Sequence, residues 1–318
     1  MENQGQLISW LLEKDQPVVR LRTLLDLLDL PEDHPDVRGA RSDISERGWA
    51  LDIFRNQRQE GHWESRESLY RPKYTATNWM ALVLSDFGLT NEDARIARVA
   101  GLFLREWMGN GESNIFKDEV CKVGNTARMM TRFGYGDDAR VRRLYDRLVA
   151  DQKDDGGWHC HESSTGTLDC WEALAAFAAV PKSRRTRRIN SSVERGVEFY
   201  LKRRLFDEGG RKYLPWFRFH YPVHYYYDIL VGLDVVTALG FGDDRRLNPA
   251  LQILNGRRQG GAWPLDRIHP DPASYAWGKH NLRWKVKPFG LEKVGTRSKW
   301  ITLTALRVLK RVEEARER

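Results

Sequence analysis

The chain has 318 residues, 41% apolar and 30% charged, a composition that supports a sizeable core under a charged surface. Lys and Arg number 52 against 44 Asp and Glu, leaving +8; the excess suits acidic partners or peripheral contact with anionic lipid without selecting one. Its densest run, Lys182–Arg188, lacks the interleaved aromatics of a single-strand nucleic-acid platform, and no run approaches about 20 apolar residues, so nucleic acid is not an expected partner and a membrane-spanning helix is excluded.

In chain order, 3.6-residue periodicity predicts outer–inner helix pairs. Leu7–Lys14 precedes Val18–Leu30, Arg38–Gln57 precedes Thr75–Phe87, and Glu92–Met108 precedes Val120–Phe133. Ala139–Gln152 then precedes Thr167–Ala179, Ser191–Leu205 precedes Pro222–Leu239, and Leu247–Arg258 precedes Ser298–Val312. Inner members are rich in Leu, Ala and aromatics, and outer members carry the Arg and Glu, as when one ring of helices encloses another. The expectation is an all-α protein with one domain over 1–318 and almost no β-structure. The N-terminal MENQGQLISWLLEKDQ has no basic stretch or small-residue cleavage site, and three cysteines argue against a disulfide framework. Both point to a cytoplasmic chain.

Three glycine-aromatic turns punctuate these pairs: Gln59–Trp63, Asp154–Trp158 and Gln259–Trp263. Glycine permits a tight reversal, and each Trp is placed to fill the gap between neighbouring hairpins. Two links nearly repeat, Phe133-Gly-Tyr-Gly-Asp-Asp138 and Leu239-Gly-Phe-Gly-Asp-Asp244. Their aspartates read as caps of the next outer helix rather than metal ligands. The long segment 260–297, with Trp263, Tyr275, Trp277 and Trp284, has the length of a lid or binding loop.

The Gly-Gly-Trp turns, the six helix pairs and the stretches CKVGNTARMMTRFGYGDD and DQKDDGGWHC together resemble the prenyltransferase and squalene-cyclase repeat superfamily. The resemblance covers roughly residues 17–312 and implies an (α/α)6 toroid with a central cavity. It also implies a terpenoid cyclase or prenyltransferase-like enzyme acting on an apolar or isoprenoid-like substrate. The acid motif Asp-x-Asp-Asp and the magnesium motif Asp-Asp-x-x-Asp of such enzymes are both missing. Asp169 nevertheless sits where the acid motif would open its inner helix, with Glu172 three residues on, so both are candidate catalytic acids.

Protein prenyltransferases of this superfamily hold zinc with an Asp-x-Cys pair and a later His. Asp169-Cys170 matches that place without the spacer residue, and His224 matches the later His. Cys121 and Cys160 are further thiols at helix openings on the same rim. Cys121, Cys160, Cys170 and His224 therefore form the candidate zinc set, since zinc favours thiolate and imidazole. His161 is an alternative to His224 and Asp169 to one thiol, while His159 and His220 are candidates only for support behind the ligands. Cysteine is also commonly a small buried hydrophobe, and no Cys-x-x-Cys backs the zinc reading. Asp228, four residues after His224, would share its helix face and either orient the imidazole or act as an independent acid.

Aromatic residues on the inner stripes, among them Tyr74, Trp79, Trp171, Tyr225–Tyr227 and Trp300, suit a wall for isoprenoid or carbocation binding, though ordinary core packing explains them equally. Arg128, Arg132, Arg218, Lys279, Arg283 and Lys285 are candidates to clasp a diphosphate, with ordinary solvated surface as the plain reading. Two other functions stay open. One is a non-catalytic toroid binding lipid or peptide with a structural zinc. The other is a carbohydrate-active barrel using Asp169, Glu172 and Asp228.

Overall fold

The computed structural model describes residues 4–109, 116, 119–210, 212–268 and 287–318. Among these the chain is helical without strands, apart from isolated bridges such as Trp158 with Thr167. In chain order the α-helices are α1 (Gln4–Leu11), α2 (Pro17–Asp26), α3 (Pro35–Ile44), α4 (Gly48–Phe54), α5 (Thr77–Asp86) and α6 (Ala94–Leu102). They continue as α7 (Val120–Met130), α8 (Ala139–Ala150), α9 (Glu172–Ala179), α10 (Arg187–Lys202), α11 (Ile229–Ala238), α12 (Asn248–Gly256) and α13 (Lys299–Glu317).

Two kinds of helix alternate, for a reason visible in their side chains. α8 buries Val141, Leu144, Tyr145 and Leu148, the i, i+3, i+4, i+7 stripe of a helix lying on a core. α5 buries every residue from Thr77 to Ser85, as a helix enclosed by others must. The enclosed helices pack in sequence, α5 on α7, α7 on α9, α9 on α11, α11 on α13 and α13 back on α2. Outer helices also bind the inner helix before them: α3 lies on α2, and α8 touches both α7 and α9. No helix among the described residues is long and apolar enough to cross a membrane.

The glycine-aromatic turns are the joints of this arrangement. Trp63, Trp158 and Trp263 are buried, and each indole Nε1 donates to a carbonyl near the end of the preceding outer helix, on Ile53, Leu148 and Leu254, at 2.7–2.8 Å. Gly61, Gly156 and Gly261 hold φ of 96°, 92° and 91°, the left-handed region that favours glycine. Gln57 and Gln152 complete the joint. Each amide donates to the turn glycine and onward to the next outer helix, to Arg95 at 3.1 Å and Ser192 at 2.9 Å. The aspartates of the links act as caps: Asp138 and Asp244 accept from the backbone N–H two residues on, at 2.8 Å.

Three boundaries differ from expectation. The segment 38–57 divides at a turn into α3 and α4. α9 begins at Glu172 rather than Thr167, because Glu208 captures the preceding loop through the Leu168 N–H at 2.5 Å and the Thr167 hydroxyl at 3.3 Å. α11 begins at Ile229 rather than Pro222, with Asp228 as its cap. The segments richest in chemistry are thus loops leading into inner helices. Of the long segment 260–297, Tyr275, Trp277, Lys279, Arg283, Trp284 and Lys285 lie outside the described residues.

Candidate functional site

Where the inner helices begin, the loops leading into them enclose a cavity of about 470 Å³. α9 is seated there by a close approach to α7. A Cβ on Gly124 would stand 2.6 Å from the Glu172 backbone, so only glycine lets the helices meet. The contact buries Glu172 completely, and neither carboxyl oxygen has a hydrogen-bond partner. Burial pushes its pKa well above the usual carboxylate range, the sulfur of Cys160 adds to the rise, and Arg128 opposes it. Asp169, in the loop before α9, accepts from the Trp216 indole at 2.8 Å. Burial of its carboxyl raises its pKa too, against the opposing hydrogen bond from the Trp216 indole.

The three thiols come together on the wall of this cavity. Cys160 Sγ accepts from the Cys170 thiol and from the Cys121 backbone N–H, each at 3.4 Å, and none is in a disulfide. Donation by the Cys121 and Cys170 thiols draws the Cys160 pKa down to about 3, while Cys121 and Cys170 are pushed up. His224 does not join them. Its ring stacks on Tyr74 at 5.1 Å and meets Trp79 edge-on at 5.2 Å, and its carbonyl accepts from Asn125 at 2.8 Å. The set Cys121, Cys160, Cys170 and His224 is therefore not assembled, because the segment before α11 is a loop that turns His224 into the aromatic core. Among the described residues no group of three or more His, Cys, Asp or Glu is arranged to hold a metal ion. The sulfur donors suit zinc in chemistry, but His224 does not supply the fourth position.

The same loop gives Asp228 a different partner. Asp228 accepts from the His220 backbone N–H at 3.0 Å and lies 2.6 Å from His220 Nδ1, while its other oxygen caps α11 through Val231 N–H at 2.9 Å. Asp228 thus does not share a helix face with His224, which lies in the loop before α11, and its carboxylate is engaged with His220 instead. It holds His220, which is 3% exposed and whose Nε2 has no hydrogen-bond partner. Such a carboxylate–imidazole pair fixes a tautomer and leaves the far nitrogen for proton exchange. Sequence spacing gave no sign of it, since the two stand eight positions apart across a loop.

A second unforeseen element is a hydroxyl chain. Lys73 Nζ donates to Tyr225 Oη at 2.8 Å, and Tyr225 donates to Tyr226 Oη at 2.8 Å. Burial lowers the Lys73 pKa. Of the expected aromatic wall, Trp216 and Tyr225–Tyr227 face this cavity, whereas Tyr74 and Trp79 pack behind it. Arg218 also lines it. Trp171, Trp300, Arg128 and Arg132 line a second cavity of about 290 Å³ that runs from the starts of the inner helices to their later turns, and His220 contributes to both. Compared with known proteins, the chain matches no family model and no curated protein.

Proposed function

We propose that the inner helices close as an (α/α)6 toroid and that the chain is an enzyme of the terpenoid cyclase/prenyltransferase type, converting an apolar, isoprenoid-like substrate by acid–base catalysis. The observation that carries this reading is Glu172, a completely buried carboxyl with both oxygens unpartnered, in a cavity walled by Trp216 and Tyr225–Tyr227. A buried polar group without a partner is costly and survives selection where function uses it. Aromatic faces bind apolar chains and stabilise developing positive charge. In this reading Glu172 gives a proton to the substrate, Asp169 stands beside it as a second acid, and His220, held by Asp228, takes a proton back.

The test is in two steps. Saturable quenching of tryptophan fluorescence by farnesol checks the cavity, and product analysis after incubation with isoprenoid alcohols and diphosphates checks turnover. Glu172→Gln is expected to keep binding and lower turnover by about 10²-fold or more. Absence of saturable binding would remove the isoprenoid reading, and unchanged turnover in the variant would remove Glu172 from the reaction.

A second reading, a non-catalytic lipid- or peptide-binding protein with a structural zinc, is favoured by the meeting of one sulfur from α7 with two from the loop before α9. Cys121, Cys160 and Cys170 would hold the ion and pin the loop before α9 to α7. Elemental analysis decides it: stoichiometric zinc, with Cys170→Ser losing metal and stability together, is the expected result. Metal-free protein that is indifferent to chelator leaves the thiols as core packing.

A further inference from the structure

The second cavity runs from Trp171, His220 and Trp300, at the starts of the inner helices, to their later turns. It takes Arg22 from α2, Asp86 from α5, Arg128 from α7, Ala178 from α9, Asp234 from α11 and Arg311 from α13, each from the later half of its helix. Arg132 and Arg307 bring the guanidinium groups on its wall to five. Helix C-termini carry partial negative charge, which accounts for basic side chains in general. Charge pairing goes further and singles out one arginine.

Four of the five have carboxylate partners. Arg132 pairs with Asp86, and Arg307 with Asp234 at 2.9 Å and Asp26 at 3.1 Å. Arg311 pairs with Asp234 at 2.9 Å, and Arg22 with Asp26 at 3.5 Å. Three aspartates thus answer four arginines. The remaining acid on the wall, Asp228, is engaged by His220 and the Val231 N–H. Arg128 makes no ion pair with a carboxylate among the described residues. Its Nη2 donates to the neutral Asn125 side chain at 2.9 Å, its plane lies 5.0 Å from the Trp171 ring, and its Nε is buried without a partner. It is only 4% exposed. A charge that deep is normally paired, because removing it from water is expensive. Burial and neighbouring arginines also push the Arg22 and Arg132 guanidinium groups down, the sign of a region crowded with positive charge.

We propose that this cavity binds a small oxyanion of the phosphate or diphosphate kind, with Arg128 as its principal donor. Guanidinium groups match phosphoryl oxygens with paired N–H donors, and the small volume suits an inorganic anion or a compact phosphoester. The proposal rests on the charge pairing of Arg128 and not on the reaction proposed above, although the two cavities share His220.

Calorimetric titration of the full chain with inorganic pyrophosphate at constant ionic strength tests it. Saturable binding, displaced by phosphate and not by chloride, is expected. Arg128→Gln should weaken it about ten-fold or more, while Arg188→Gln, on the exposed face of α10, leaves it unchanged. Arg128→Lys keeps the charge and loses the planar fork, so an intermediate loss from a folded protein reads the same site if the Gln variant does not fold. No saturable heat with the wild type, displacement by chloride, or wild-type affinity in a folded Arg128 variant would overturn the proposal.

Discussion

Trp158 carries the hairpin joint in one side chain: its indole is fully buried, its Nε1 donates to Leu148 at 2.7 Å, and its ring fills the space beside Gly196. Replacing it with Phe keeps most of the apolar area but leaves the Leu148 carbonyl without its donor, in a place water does not reach. The expected cost is about 1–3 kcal/mol, read as a lower urea midpoint at unchanged slope. A variant as stable as wild type would mean that the indole acts through its area alone. The same logic extends to Trp63 and Trp263, which repeat the bond.

At the scale of the helix, three outer elements start on an aspartate, Asp93, Asp138 or Asp244, that also grips an arginine two residues on. Asp138 caps α8 and lies 2.6 Å from Arg140 Nη2. The hydrogen bond from the Arg140 side chain, aided by the Arg140 backbone N–H, draws the Asp138 pKa down to about 2. A carboxyl whose folded pKa lies below its unfolded value of about 4 contributes stability that is present above that pH. The contribution disappears as pH falls from about 4 to about 2. Asp138→Asn keeps a capping oxygen but no charge, so its stability should decline less than that of wild type across that window. Parallel acid titrations of the two proteins by circular dichroism check this, and superimposable curves would assign the acid sensitivity elsewhere.

For the molecule as a whole, α13 joins the two ends of the chain. Arg307 reaches Asp26 on α2 and Asp234 on α11 at once, and Lys310 adds Asp29. Arg307 is 9% exposed, so truncating it to Met leaves two half-buried carboxylates with fewer partners. The expected loss is about 1–3 kcal/mol, with faster hydrogen exchange in α2 and α13 than in α8. Uniform exchange in every helix would show that α13 is not a separate closure. Because both cavities are lined by the inner helices and share His220, their chemistry depends on these contacts remaining intact.

What the sequence determined by itself is local. The outer stripes, the aspartate caps and the glycine-aromatic turns are each set within a few residues by backbone sterics and by which face must leave water. They accordingly appear where periodicity and turn chemistry put them. The gathering of the thiols on one rim was also legible, since Cys121 and Cys170 stand near the starts of inner helices. Tertiary structure decided the rest. Glu208 holds open a loop that local propensity reads as helix, which moves Asp169 off α9. The loop before α11 gives Asp228 to His220 and sends His224 into an aromatic core. Lys73 meets Tyr225 across 152 positions of sequence, and five arginines, on α2, on α7 and just beyond it, and on α13, meet around one space. Such contacts are long-range hydrogen bonds and ion pairs whose partners are chosen by the packing of the entire interior, so no local pattern announces them.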